Sequence, residues 1–190
     1  MKIVISAVCA IAMLFLVAGN GYSDDKESKD RKFSTRLSGF NEVHFSAGPP
    51  ATLRGAVSTK ASGSFSATLN KAGDIIDYVL SYKGLEGAVT QAHIHFGQHH
   101  TVGGIVIWLC QTAGTPAPAS VAAITPLCPA EGTVSGMITA DNVLAQTAQG
   151  IDTGEFEKIV RALRAGAAYA NVHTSLFPPG EIRGQIGSAN

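Results

Sequence analysis

"DIIDYVLSY", residues 74–82, decides how the rest of the chain reads. Ile76, Tyr78, Leu80 and Tyr82 fall at every second position, with Asp77, Val79 and Ser81 between them. Successive side chains of a strand point to opposite faces, so a period of two lays one apolar face on a core. Working outward, the same alternation returns in "KFSTRLSG" (32–39), "GSFSATLN" (63–70), "AVTQAHIHF" (88–96), "GGIVIWLC" (103–110), "GTVSGMIT" (132–139), "AYANVHTS" (168–175) and "EIRGQIG" (181–187). Eight short runs separated by turn residues imply an all-β fold, a Greek-key β-sandwich or barrel of about eight strands.

Composition agrees. Among 190 residues there are 21 Gly and 8 Pro, which suits a turn-rich β protein better than a helix bundle. Hydrophobic residues make up 45% and charged residues 15%, enough to bury one core. One segment departs from the period of two. "DTGEFEKIVRALRAG" (152–166) spaces Phe156, Ile159, Val160 and Leu163 as a helix does, with Asp152 or Thr153 to cap its start and Gly166 to end it. It reads as a short helical insertion packed on the sheet, with "TADNVLAQ" (139–146) as a briefer helical turn before it. "SLFPPGEIRGQI" (175–186) reads as a hairpin with a type II turn at Pro178–Glu181.

The N-terminus reads as a leader. Lys2 precedes the apolar run "IVISAVCAIAMLFLVA" (3–18), which is shorter than a membrane span requires, and small residues follow. The expected division is a signal peptide over 1–23, a charged mobile segment over 24–32 and one domain over 33–190. The mature chain would then be exported, to the periplasm or outside the cell, with no membrane attachment after cleavage. Cys9 leaves with the leader. Cys110 and Cys128 remain, and an even pair in an oxidising compartment reads as a disulfide. Closing that Pro/Ala-rich loop should stabilise the fold by roughly 3 kcal/mol.

Formal net charge is zero, and there is no basic patch of the density that nucleic acid demands. There is no nucleophile elbow, zinc-protease helix or phosphate-binding glycine loop, and no catalytic residue can be named. The partner class left is a protein or a cell-envelope component. Trp108, Tyr78 and Tyr82 read as packing residues.

The histidines are the chemical signal. Four of six fall in eight residues, at His93, His95, His99 and His100. His93 and His95, two apart on a strand, share a face opposite Ala92, Ile94 and Phe96, so the imidazoles should stand on the outer face or under a covering loop. Two imidazoles so spaced can hold copper or zinc from one strand, given a third ligand. His173 is the best third ligand, because the 175–181 hairpin puts Asn171, His173, Glu181 and Arg183 on one outward face. Glu181 and Arg183 are then candidates for the surrounding hydrogen bonds. The ring nitrogens of such a triad should lie within about 3–4 Å of one another. His99 and His100 are further candidate ligands, although a turn-like stretch also suits them as plain loop residues. The alternative for His93 and His95 is a solvated strand face. His44 stands alone.

These residues also carry a resemblance. "RLSGFNEV" (36–43), "YVLSYKGLEGAVTQAHIHFG" (78–97), "GGIVIWLC" and "RAGAAYANVHTSLFPPGEIRGQI" (164–186) resemble the CHRD domain, named after chordin, in its exported bacterial type. Where many members read "QEVPP", this chain has the longer "NEVHFSAGPP" (41–50). The resemblance implies a Greek-key β-sandwich and hands over no mechanism; the lead reading is a non-enzymatic binding or structural module. More loosely, "AHIHFG" is similar to the metal-binding strand of copper/zinc superoxide dismutases, and "GEIRGQIG" to the arginine-bearing strand beside their copper. That family's acidic metal loop has no counterpart here. The expectation is therefore an exported binding module with a copper or zinc site. A metal-dependent oxidoreductase of the dismutase type, with Arg183 steering an anion, is the rival, and an extracellular assembly subunit is a third reading.

Overall fold

A computed structural model describes residues 31–45 and 53–189. The expected leader over 1–23 lies outside the described residues, as does most of the charged segment. Lys32 is already the first residue of a strand.

The eight alternating runs are eight strands: β1 (Lys32–Ser38), β4 (Ser62–Leu69), β5 (Ile76–Lys83), β6 (Val89–Phe96), β7 (Gly104–Cys110), β8 (Gly132–Ile138), β9 (Ala168–Thr174) and β10 (Ile182–Ser188). A small ribbon that the sequence reading lacked, β2 (Val43–Phe45) with β3 (Leu53–Gly55), leaves the first connection. The eight long strands form one antiparallel sheet in the order β7-β6-β9-β10-β1-β4-β5-β8. The sheet curls into a nearly closed barrel of Greek-key type. The β1–β4, β4–β5, β6–β7 and β9–β10 neighbours pair, while the β5–β6 and β8–β9 connections cross to other parts of the sheet and the β7–β8 connection spans the gap between the end strands.

Between its end strands, β7 and β8, the barrel is bridged rather than paired. Leu144 N–H, just past β8, donates to Val106 O (2.9 Å), and Tyr78 Oη donates across the interior to Leu109 O (2.6 Å). The Cys110–Cys128 disulfide, with its Cα atoms 5.0 Å apart, ties the end of β7 to the segment leading into β8. The pairing expected of these cysteines is the pairing found.

The interior holds the period-two residues: Phe33 and Leu37, Phe65 and Leu69, Ile76, Tyr78, Leu80 and Tyr82, Ala92 and Ile94, Val172 and Ile182, all buried. The helix α1 (Phe156–Arg164) adds Phe156, Ile159, Val160 and Leu163 to the same cluster. Its C-terminus is the one expected. Gly166 is left-handed (φ 64°), and Gly166 N–H and Ala167 N–H donate to Leu163 O and Ala162 O, a complete Schellman motif. Its start differs. The left-handed Gly154 (φ 81°) keeps Asp152 and Thr153 out of the helix, which begins after Glu155 without a side-chain cap. Glu155 Oε2 instead accepts from Asp152 N–H. The shorter helical turn is a single 3₁₀ turn, Ala140–Asn142, held by a Thr139–Asn142 capping box.

The hairpin turn lies one residue earlier than expected. Gly180 N–H donates to Phe177 O (3.0 Å), closing the turn at Phe177–Gly180, because Glu181 N–H is taken by Val172 O as the first rung of the β9–β10 ladder. Gly180 has φ 135°, and a Cβ there would meet Asn171 and Glu42 at 2.5 Å. No helix among the described residues is long and apolar enough to cross a membrane.

Candidate metal centre

The outward face of β6, β9 and β10 carries the expected residues. In register, His93 lies opposite Asn171 and Asn171 opposite Arg183, while His95 lies opposite Tyr169. The apolar partners Ala92 and Ile94 point into the barrel, as the alternation requires.

This outward face is not an exposed one. His93 is 0%, His95 7% and His173 5% exposed. The Gly97–Gly103 connection lies over it, as do the turn after β1 and the Phe177–Gly180 hairpin. A solvated strand face is therefore excluded. Of the two placements read from the sequence, the covered one holds.

Three imidazoles meet under this cover. One ring nitrogen from each of His93, His95 and His173 can be chosen so that all lie within 4.8 Å of one another. His93 Nδ1 and His173 Nε2 are 3.1 Å apart, the spacing that two ligands about 2.0–2.1 Å from a shared ion would take at an angle near 100°. The set as a whole is looser than the expected 3–4 Å. Nitrogens at either end of an ion's diameter stand about 4 Å apart at most, so the widest pair must close by roughly 1 Å to grip one ion.

The surroundings set the tautomers. A carbonyl oxygen only accepts, so His95 Nδ1–H donates to Gly103 O (3.0 Å) and His173 Nδ1–H to Pro178 O (2.8 Å). In the neutral rings this leaves the Nε2 lone pair of both as the ligand atom, which is how metal-binding histidines are usually oriented. His93 Nδ1–H then donates to His173 Nε2 when no ion intervenes. His93 Nε2 and His95 Nε2 are buried and meet no hydrogen-bond partner. A ring offers one ion one nitrogen, so an ion seated between His93 Nδ1 and His173 Nε2 would satisfy the orphan His95 Nε2 and leave His93 Nε2 as it is.

Electrostatics also favour the neutral form that ligation needs. Burial holds His93 well below the usual histidine range, and charge on His173 or His95 would push it further. Burial pulls His95 down to about 3, against the Gly103 hydrogen bond and with the help of His173 and Arg183.

Arg183 and Glu181 do not bond to the histidines. Arg183 is 2% exposed, and its Nη1 and Nη2 donate to Thr101 O (2.7 Å) and Gln98 O (3.1 Å), clamping the covering loop. Its guanidinium lies 3.4 Å from the centre of the Tyr169 ring, which stacks on His95 at 4.7 Å and 4°. Two of its five N–H donors are thus engaged by the loop. Glu181 is fully buried and accepts from Thr59 Oγ1, Thr174 Oγ1 and Glu86 N–H, at 2.8–2.9 Å, pinning two connections to the end of β9. His99 and His100 are exposed on the covering loop with their rings 4.5 Å apart, away from the triad. His44 sits in β2 opposite Arg54.

Two residues of the site escaped the sequence reading. Tyr169 shares the outward period of Asn171 and His173, a signal that was there to be used. Its hydroxyl accepts from Gly103 N–H (3.1 Å), so Gly103 links the phenol to His95. Trp108 is a packing residue, as expected, but outside the barrel, in a small cluster with Ala117 and Val121. Its ring meets His93 edge-on at 4.3 Å and so walls the triad.

With this geometry in place, comparison with known proteins adds the family. The family model for the CHRD domain matches residues 33–186. The chain belongs to the CHRD domain family. No curated protein and no solved structure matches it. Membership supports, in general terms, a binding or structural module. In this CHRD domain the "HIHFG" and "NVHT" stretches supply the three imidazoles, and "PPGEIRG" supplies the hairpin that orients His173 and the arginine that clamps the loop. A CHRD domain with a disulfide is also compatible with an extracellular location.

Proposed function

We propose that this chain is an exported CHRD module that binds one copper or zinc ion through His93, His95 and His173, and that acts through a protein or cell-envelope partner. One observation carries the metal reading. Three buried imidazoles converge, and His95 Nε2, the nitrogen that its Gly103 hydrogen bond leaves for ligation, has no other partner. Export is supported by the leader-like pattern of residues 3–18 and by the disulfide.

The test is elemental analysis of protein purified from its own compartment, followed by calorimetric titration of the stripped protein with Cu(II) and Zn(II). One ion per chain is expected. Substituting His95→Ala should abolish binding, while His44→Ala should not. Stripped protein that takes up neither ion would overturn the reading.

The second reading, an oxidoreductase of the dismutase type, is favoured by the ligand count. Three protein nitrogens leave an ion of this kind one open position, the arrangement of catalytic sites. Superoxide consumption by the copper-loaded protein, lost in the His95→Ala variant, would support it. Inert copper-loaded protein would leave the binding module alone.

A further inference from the structure

We infer that the exposed pair His99–His100, at the mouth of a surface cavity floored by Glu42, is the loading site through which the ion reaches the buried triad. The inference rests on the metal reading above and concerns the route, not the resting place.

The triad needs a route. Its rings are 0–7% exposed, so a hydrated ion does not meet all three from solvent. Among the cavities of the described surface, one of about 330 Å³ lies between the turn after β1 and the covering loop, lined by Phe40, Glu42 and His100. Its floor adjoins the site. Glu42 is 3% exposed, and its Oε2 accepts from Asn171 Nδ2 (2.6 Å), the residue in register with His93. Glu42 thus places carboxylate oxygens between the imidazole at the rim and the strand that carries His93.

The loop has the features such a role asks for. His100 has φ 62°, a left-handed conformation found at only one other non-glycine among the described residues, Ala56, which lines the same cavity. Holding a histidine there is unfavourable, so the strain is kept where it aims the side chain. Two imidazoles capture a transition metal more weakly than three, and weak capture is what a loading site needs. The loop is also coupled to the final ligands, because Gly103 O at its end holds His95 Nδ1–H. Displacing the loop frees His95 to turn towards an arriving ion.

A group that only speeds loading must speed release by the same factor, because it leaves the equilibrium unchanged. Trp108, the sole tryptophan, touches His93 and gives the signal, since Cu(II) at His93 should quench it. Metal-free protein is mixed with Cu(II) in a stopped-flow fluorimeter, and copper is then withdrawn with a chelator. In the doubly substituted His99→Ala/His100→Ala protein, loading and release should both slow at least tenfold, with one ion bound per chain and an unchanged Kd. Loading at the wild-type rate would overturn the route and leave the triad standing. A weakened Kd would also overturn it, by making the pair permanent ligands. Wild-type protein with no saturable quench at one equivalent would sink the triad reading and the route together.

Discussion

Lowering the pH from 7 to 5 should cost the metal-free protein several kcal/mol of stability, and the buried imidazoles set the sign. In the unfolded chain a histidine titrates near 6.5, whereas in the fold His95 titrates near 3 and His93 well below its usual value, both chiefly because they are buried. Their folded-state pKa values are depressed, so the unfolded state takes up protons first as the pH falls. Stability is complete above about pH 7 and declines below 6.5, by up to about 1.4 kcal/mol per pH unit for each histidine. Integrated from pH 7 to 5, His95 accounts for about 2 kcal/mol, and His93 adds a term of the same sign. Against a total of about 5–15 kcal/mol this is a large share. The Arg183 guanidinium faces the same cluster and stays charged over this range. The assay is urea unfolding of stripped protein at pH 7, 6 and 5, followed by Trp108 fluorescence. The substitution His95→Phe, which keeps a ring against Tyr169, should remove the His95 share, about 2 kcal/mol between pH 7 and 5, and leave the rest of the slope. A flat profile in the wild type would refute the reasoning, since the histidines would then hold their protons in the fold as they do in the unfolded chain.

Other perturbations follow from single contacts. Glu181→Ala strands three donors that meet its carboxylate, two of them on threonines, and should cost about 3 kcal/mol or more in urea unfolding. Gly103→Ala drives a Cβ into the Phe96 carbonyl, so it should displace the loop and lower copper affinity along with stability, measured by titration and melting. Cys110→Ser with Cys128→Ser should lower stability by roughly 3 kcal/mol in the chain-entropy account, and unreduced wild-type protein should show neither thiol to an alkylating reagent. N-terminal sequencing of exported protein should start near Asp24.

Much of the fold was legible because β1, β4, β5 and β8 bury one face and only one, and because the remaining strands keep the same alternation of apolar residues although β9 is buried on both faces. The period that put Ile76, Tyr78, Leu80 and Tyr82 together is the period of the barrel wall, and the structure leaves none of the eight runs out. The ribbon β2–β3 carries three residues a side, too few to establish a period. The helix end was legible from Gly166 because left-handed backbone selects glycine, whereas the start was not. Asp152 and Thr153 are good caps by type, and it is Gly154 that carries the chain past them.

The triad was legible for the same reason as the barrel: a strand that sends Ala92 and Ile94 inward must send His93 and His95 out, and the hairpin brings His173 to the same side. What alternation cannot report is the dielectric on the far side of a sheet. That is set by the covering connections, which have no period, and by long-range contacts such as Arg183 to Thr101 and Asn171 to Glu42. Hence alternation places Glu181 and Arg183 on the outward face without showing that their hydrogen bonds go to the connections and to Thr174 rather than to the histidines. A carboxylate and a guanidinium beside three histidines suggest proton and anion chemistry when that face is taken as open. Once it is covered, both groups help to hold the cover down. The covering also changes what the histidines are for. Exposed, they would titrate near neutrality; buried, they weaken the fold wherever a ring nitrogen is left unpartnered, and under the proposed metal reading an ion at the triad would restore part of that stability.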